Sequence, residues 1–209
     1  MNRYIHRLKS YIDHHPLFSS AILAIIPFLD PRLWFGFRIS DGTDTFFFSW
    51  LMSHHWRQWS GEGFSNYFDA GILAPFPDSL LYSENGLGLA VVGWPFHLLG
   101  FEPAHAFFFV NVFGWVATSV AMTYFSLKQG LTSRASLIAT LFFVFSGFHM
   151  GHMFGHLQMA FGVFILLAFL GAQVWIRDGK KGGLGLLAAS WACAFFFNTY
   201  YFVFIAYSF

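Results

Sequence analysis

The chain has 209 residues, 56% of them apolar, 22% aromatic and only 10% charged, with a formal charge of +1. Soluble domains carry charge on about a quarter of their residues, so the composition excludes one and reads as an integral membrane protein. A near-neutral chain without a Lys/Arg stripe offers no nucleic-acid surface, and the lone Cys193 excludes an intramolecular disulfide.

The basic start, with Arg3, Arg7 and Lys9, leads into a first apolar stretch from Pro16 to Gly36. Its far end, Asp30-Pro31-Arg32, is not a small-residue cleavage site, so the segment reads as a retained anchor rather than a signal peptide. About 20 apolar residues cross the hydrocarbon, which predicts spans over about 16–36, 104–127, 133–148, 157–176 and 183–209. Thr132 and Ser133 supply a cap for the short third span. Residues 87–100 are apolar but interrupted by Pro95, and their length suits an interfacial segment rather than a crossing. Residues 44–60 predict a surface helix, with Phe48, Met52 and Trp59 on one side and Ser49, Ser53 and Arg57 opposite. The expected fold is therefore all-α: a multi-pass transmembrane helical bundle whose extracytoplasmic first loop, 37–102, carries interfacial helices. The chain ends inside an apolar run at Tyr207-Ser208-Phe209. That ending leads to the expectation that 1–209 is a single membrane module, the amino-terminal part of a longer protein.

Orientation follows from the basic residues. With 87–100 not crossing, Arg3/Arg7/Lys9, Lys128/Arg134 and Arg177/Lys180/Lys181 share one side and account for eight of the eleven. The positive-inside rule makes that side cytoplasmic. The expected location is a bacterial cytoplasmic (inner) membrane, with the amino terminus inside.

The opposite side holds the residues able to do chemistry. The stretch from Asp41 to Gly86 carries six acids, Asp41, Asp44, Glu62, Asp69, Asp78 and Glu84, against one base, Arg57. Asp44 falls at the start of the surface helix. An isolated Asp there is ordinarily a cap; the sharper reading, a general base or metal ligand, has Asp41 as its companion. His149, His152 and His156 recur at i, i+3 and i+7 and share a face if helical. Such histidines either bond water and headgroups or serve as bases and ligands. His156 with Gln158 opens the fourth span, where a helix amino terminus favours a phosphate. Asp44, Glu84 and His156 are the candidate ligands for a divalent metal ion, the one cofactor the residues leave open. His54 and His55 read as ordinary interfacial residues. Asn198, Tyr200 and Tyr201 lie near the outer end of the fifth span, either lining the same cavity or anchoring the interface.

Four segments occur in the order DGTDTFFFSWLMSHHW (41–56), ILAPFPDSLLYSENGLGLAVVGWPFHLLG (72–100), FSLKQGLTSRAS (125–136) and FSGFHMGHMFGHLQ (145–158). Over residues 15–209 the chain resembles the amino-terminal module of bacterial GT-C-type membrane glycosyltransferases, related to the polyprenyl- or dolichyl-phosphate-sugar-dependent mannosyltransferases. The resemblance implies a hexosyl transfer with inversion at the outer membrane face, from a polyprenyl-phosphate sugar donor to an acceptor it does not identify. It also implies a catalytic acid just after the first span, matched by Asp44 with Asp41 next, and a second functional position before the fourth span. Here that position holds His156 and Gln158 rather than an Asp, and Asn85 follows Glu84 where related chains carry His. Donor and phosphate contacts then fall to His156, Gln158, Arg57 and Glu84. The competing expectation is a multi-span carrier or flippase for a lipid or lipid-linked saccharide.

Overall fold

A computed structural model describes residues 2–29, 44–63, 66–69, 78, 80, 85–152 and 156–209. Among them all regular structure is helical, and two stretches, Pro103–Lys128 and Gln158–Asp178, are long and apolar enough to cross a membrane. The α-helices in chain order are α1 (Asn2–His14), α2 (Pro16–Ile25), α3 (Asp44–Trp59), α4 (Leu87–Leu98), α5 (Pro103–Lys128) and α6 (Ser133–Val144). They continue with α7 (Gly147–His152), α8 (Val163–Asp178), α9 (Lys181–Phe197) and α10 (Thr199–Ser208). Short 3-10 turns, Ile26–Leu29 and Leu157–Phe161, extend α2 and precede α8.

Local chemistry sets these boundaries. Proline opens α2 and α5, where its missing N–H costs nothing. Thr132 caps α6 by accepting the Ala135 N–H at 3.3 Å. Gly179 ends α8 with φ +64, its N–H bonded to the Trp175 carbonyl. Asn198 breaks the last apolar stretch in two and caps α10, accepting from the N–H groups of Tyr200 and Tyr201. The sequence suggests one span over 183–209; the chain forms two helices there, because an extended Asn198 interrupts the ladder.

Helix α5, about 39 Å long at 1.5 Å per residue, is the central post. Near its start, Phe107 and Val110 pack with Phe48, Leu51, Met52 and Trp56 of α3, Leu89 and Ala90 of α4, and Phe161. Midway, Phe108 and Trp115 pack with Ala24 and Phe28 after the first helix and with Val144 of α6. Helices α8, α9 and α10 form a third cluster around Ala168, Ala194, Tyr201 and Ile205. A buried polar seam joins α5 to α6. The Thr140 hydroxyl donates to the Ser136 carbonyl, so the 2.7 Å contact between Thr123 and Thr140 is donated by Thr123.

Helices α8 and α9 meet backbone to backbone. A Cβ on Gly171 would lie 2.6 Å from the Leu187 nitrogen, and one on Gly183 would lie 2.5 Å from the Trp175 nitrogen. Only glycine permits such closeness.

The far end of α5 gathers the basic residues. The Asp13 carboxylate at the end of α1 pairs with Arg134, and its carbonyl accepts from the Ser133 hydroxyl at 3.1 Å. Gln129, just past α5, exchanges amide hydrogen bonds with Gln173 of α8. Lys128, Arg134, Arg177, Lys180 and Lys181 are all exposed there.

Candidate functional site

Helix α3 is the floor of the site. It packs on α4 and α5 and buries residues on most of its circumference: Phe48, Leu51, Met52 and Trp56 with Ser49, His54 and His55. The expected polar side is therefore partly interior, and the two histidines taken as ordinary interfacial residues are both 1% exposed. A buried imidazole needs hydrogen-bond partners, and both have them.

His55 bonds at each ring nitrogen. Its Nε2 lies 2.6 Å from the Asn85 carbonyl and its Nδ1 lies 2.7 Å from the Tyr67 hydroxyl. A carbonyl only accepts, so Nε2 carries the proton and Nδ1 accepts from the phenol. His54 Nε2–H donates to the Tyr67 carbonyl at 3.2 Å. Two consecutive histidines thus fasten described pieces of the acidic loop onto α3. Asn85 in turn accepts the Leu87 N–H with its side chain as α4 begins. Elsewhere in the loop, Asn66 donates to the Asp78 carboxylate at 2.7 Å, and the Leu80 N–H bonds the Phe68 carbonyl.

Burial pushes the His55 imidazole below its ordinary range; the Asn85 carbonyl opposes this and the neighbouring His54 adds to it. Burial raises the Tyr67 phenol, against a hydrogen bond from the Trp59 side chain. The pair is thus held neutral, Tyr67 O–H donating to His55. Aromatic rings enclose it: His55 stacks on Trp59 and Tyr67, His54 on Trp50, and His97 on Trp56, whose indole donates to the Ala90 carbonyl at 2.9 Å.

Asp44 is the first residue of α3, as expected of a residue at a helix start. The placement of its carboxylate lies outside the described residues, as do Asp41 and Glu84 entirely. Arg57 sits 13 positions further along the same helix, about 20 Å from Asp44 at 1.5 Å per residue.

The histidine segment divides rather than forming one face. Helix α7 has six residues, and His149 turns inward to 5% exposure. Its Nδ1 faces the Ser146 hydroxyl at 3.3 Å, and its Nε2 has no hydrogen-bond partner among the described residues. Burial lowers its pKa, opposed by the nearby Phe143 backbone and assisted by His152. His152 and His156 pair separately, ring centroids 5.1 Å apart. His156 precedes a 3-10 turn, and the α-helix proper starts at Val163, whose N–H is already donated to the Thr118 hydroxyl. The expected anion-binding helix start is thus displaced from His156 by seven residues. Gln158 is buried, its Oε1 without a partner among the described residues.

The structure does join the 156–159 turn to the end of the chain. The Tyr201 hydroxyl donates to the Met159 carbonyl at 2.9 Å, and the Asn198 amide lies 3.2 Å from the Met159 sulfur. Tyr200, by contrast, is exposed. Phe161 packs against Phe197 with the rings tilted, and Phe197 covers Gly88 at the start of α4. The loop end at Asn85–Gly88, the 3-10 turn and the α9–α10 junction therefore meet at one end of the bundle. Among the described residues, no three His, Cys, Asp or Glu side chains gather as metal ligands; two of the three expected ligands, Glu84 and the Asp44 carboxylate, are outside that set.

No protein-family model, curated protein or solved structure matches the chain.

Proposed function

We propose that this chain is the amino-terminal membrane module of a GT-C-type glycosyltransferase that moves a sugar from a polyprenyl-phosphate donor to an acceptor at the outer face of a bacterial inner membrane. The observation that carries the reading is a convergence. The described parts of the first and second segments of the resemblance meet around Trp56 and Leu89 at one end of the bundle, and the fourth segment (145–158) ends three residues before Phe161 of the same cluster. The eight basic residues of 3–9, 128–134 and 177–181 belong to the other end. Val110 and Lys128 are 18 positions apart on α5, about 27 Å, close to a hydrocarbon core of about 30 Å.

In this reading Asp44 takes the proton as an acceptor hydroxyl attacks the anomeric carbon. The bond from that carbon to the phosphate oxygen breaks, and the polyprenyl phosphate leaves with the electron pair. His156 donates to the leaving phosphate. Gln158, whose buried amide oxygen lacks a partner among the described residues, suits a sugar hydroxyl better than a phosphate, since both oxygens of such a contact would otherwise be acceptors. The aromatic wall of Trp50, Trp59 and Trp94 gives the prenyl chain and sugar an amphipathic border. A divalent cation on Asp44, Glu84 and His156 would offset phosphate charge.

The carrier reading gains one observation, the break at Asn198 inside the last apolar stretch, since broken helices mark transporter sites at mid-membrane. Helix α9 has 17 residues, about 26 Å, which puts the break near the far face and favours surface chemistry.

The test is Asp44→Asn in the intact protein, reconstituted with a polyprenyl-phosphate sugar. Transfer should fall roughly a hundredfold or more while insertion persists. Equal transfer by wild type and variant sinks the role of Asp44, and lipid-linked sugar crossing the bilayer without transfer supports the carrier.

A further inference from the structure

We propose that α1 is an interfacial helix that docks on an anionic membrane leaflet and holds the basic end of the bundle at the headgroups. The proposal rests on the membrane reading above but not on sugar transfer.

Helix α1 is continuous from Asn2 to His14. At 100° per residue, Tyr4, Ile5, Leu8, Tyr11 and Ile12 fall on one arc. Arg3 and Arg7 border that arc on one side and Lys9 on the other, the arrangement of a helix lying in a lipid interface with its basic positions at headgroup level. Tyr11 is 43% exposed, Arg7 and Lys9 are exposed, and the ion pair tying α1 to α6 is at its last turn, Asp13 with Arg134. Asp13 falls on the opposite side of α1 from that arc.

Charge names the occupant. The end of the bundle reached by α1 carries eight basic residues and two acids, Asp13 and Asp178. Both acids are already matched, Asp13 with Arg134 and Asp178 with Lys180 at 3.6 Å. Exposed Tyr124, with Lys128 over its ring at 5.2 Å, and exposed Trp175 lie at the same end. Such side chains favour the headgroup level. A leaflet containing anionic lipid fits both features at once, attracting basic residues while accepting the apolar arc.

The experiment uses the whole chain carrying Cys193→Ala and Tyr11→Cys, with an environment-sensitive fluorophore attached to the introduced thiol. It is reconstituted in nanodiscs of phosphatidylcholine with or without phosphatidylglycerol and a headgroup-level quenching lipid. Quenching should rise with phosphatidylglycerol and fall at high salt. Arg7→Gln and Lys9→Gln should each weaken docking about fivefold. Quenching that ignores lipid charge, salt and both variants, in a chain that resists carbonate extraction, overturns this proposal and leaves the membrane reading intact. Label-to-label proximity between two chains in one disc, insensitive to lipid charge, assigns the face to a second copy and also overturns it. A chain extracted by carbonate from both lipids overturns both.

Discussion

Helices α3 and α4 and the hairpin of α8 and α9 are both tightly packed, but by opposite means. The first pair interdigitates large side chains, Met52 and Trp56 against Gly93, and fastens a loop with imidazole hydrogen bonds. The second brings two backbones together where Gly171 and Gly183 leave no side chain between them. The lesson concerns direction. Removing atoms should damage the first region, and adding them should damage the second.

The largest effect should come from Trp56→Ala, which empties a 1%-exposed position and orphans its bond to Ala90. A loss of about 3–5 kcal/mol is expected, read as denaturant unfolding of the purified protein in detergent micelles. A variant within error of wild type would mean that α3 is not packed as described. Gly171→Ala adds one methyl against backbone atoms that cannot step aside, and should cost about 1–3 kcal/mol by the same assay. An unchanged midpoint would mean the helices of the hairpin are further apart.

Tyr67→Phe removes the donor to His55 Nδ1 and should cost about 0.5–1.5 kcal/mol. The pH dependence sharpens this. An imidazole held below its ordinary 6.5 binds protons more readily in the unfolded chain. Its contribution is complete above that pH and is lost as pH falls through the lower folded value. His149 shifts in the same direction, so the informative quantity is the difference between wild type and His55→Asn, which should narrow from pH 8 to pH 5 as the His55 contribution is lost. A difference constant across that range contradicts a neutral, doubly bonded His55. The smallest effect marks the contrast within one helix. Gly185 of α9 faces open space, so Gly185→Ala should stabilise by about 0.5–1 kcal/mol, opposite in sign to Gly171→Ala.

Helices α5 and α8 were legible because their apolar runs are long and end at Lys128 and Asp178. The break at Asn198 showed only as a polar patch, since hydropathy averages over one residue whose side chain caps the next helix. Helix α1 escaped notice because its charges mask a regular apolar arc. The burial of His54 and His55 was hidden for a different reason. Spacing assumes one wet face, whereas α3 is covered by α4, α5 and its own loop, so polar side chains enter the interior when Tyr67 and Asn85 supply partners. No local pattern carries that information, because the partners are 12 and 30 residues away. For Asp44 only the helix start was readable, and for Asp41 and Glu84 the expectation lies outside the described residues.

Helix α6 has 12 residues, about 18 Å of rise. A hydrocarbon layer of about 30 Å exceeds that rise by roughly 12 Å, and the chain breaks at Phe145 and Ser146 before the six-residue helix α7. In the membrane reading proposed above, lipid beside α6 would thin to meet that break. In that same reading, a phosphate headgroup beside α6 would sit deeper than its neighbours, and a prenyl-linked sugar would reach the His152–His156 level without leaving the bilayer.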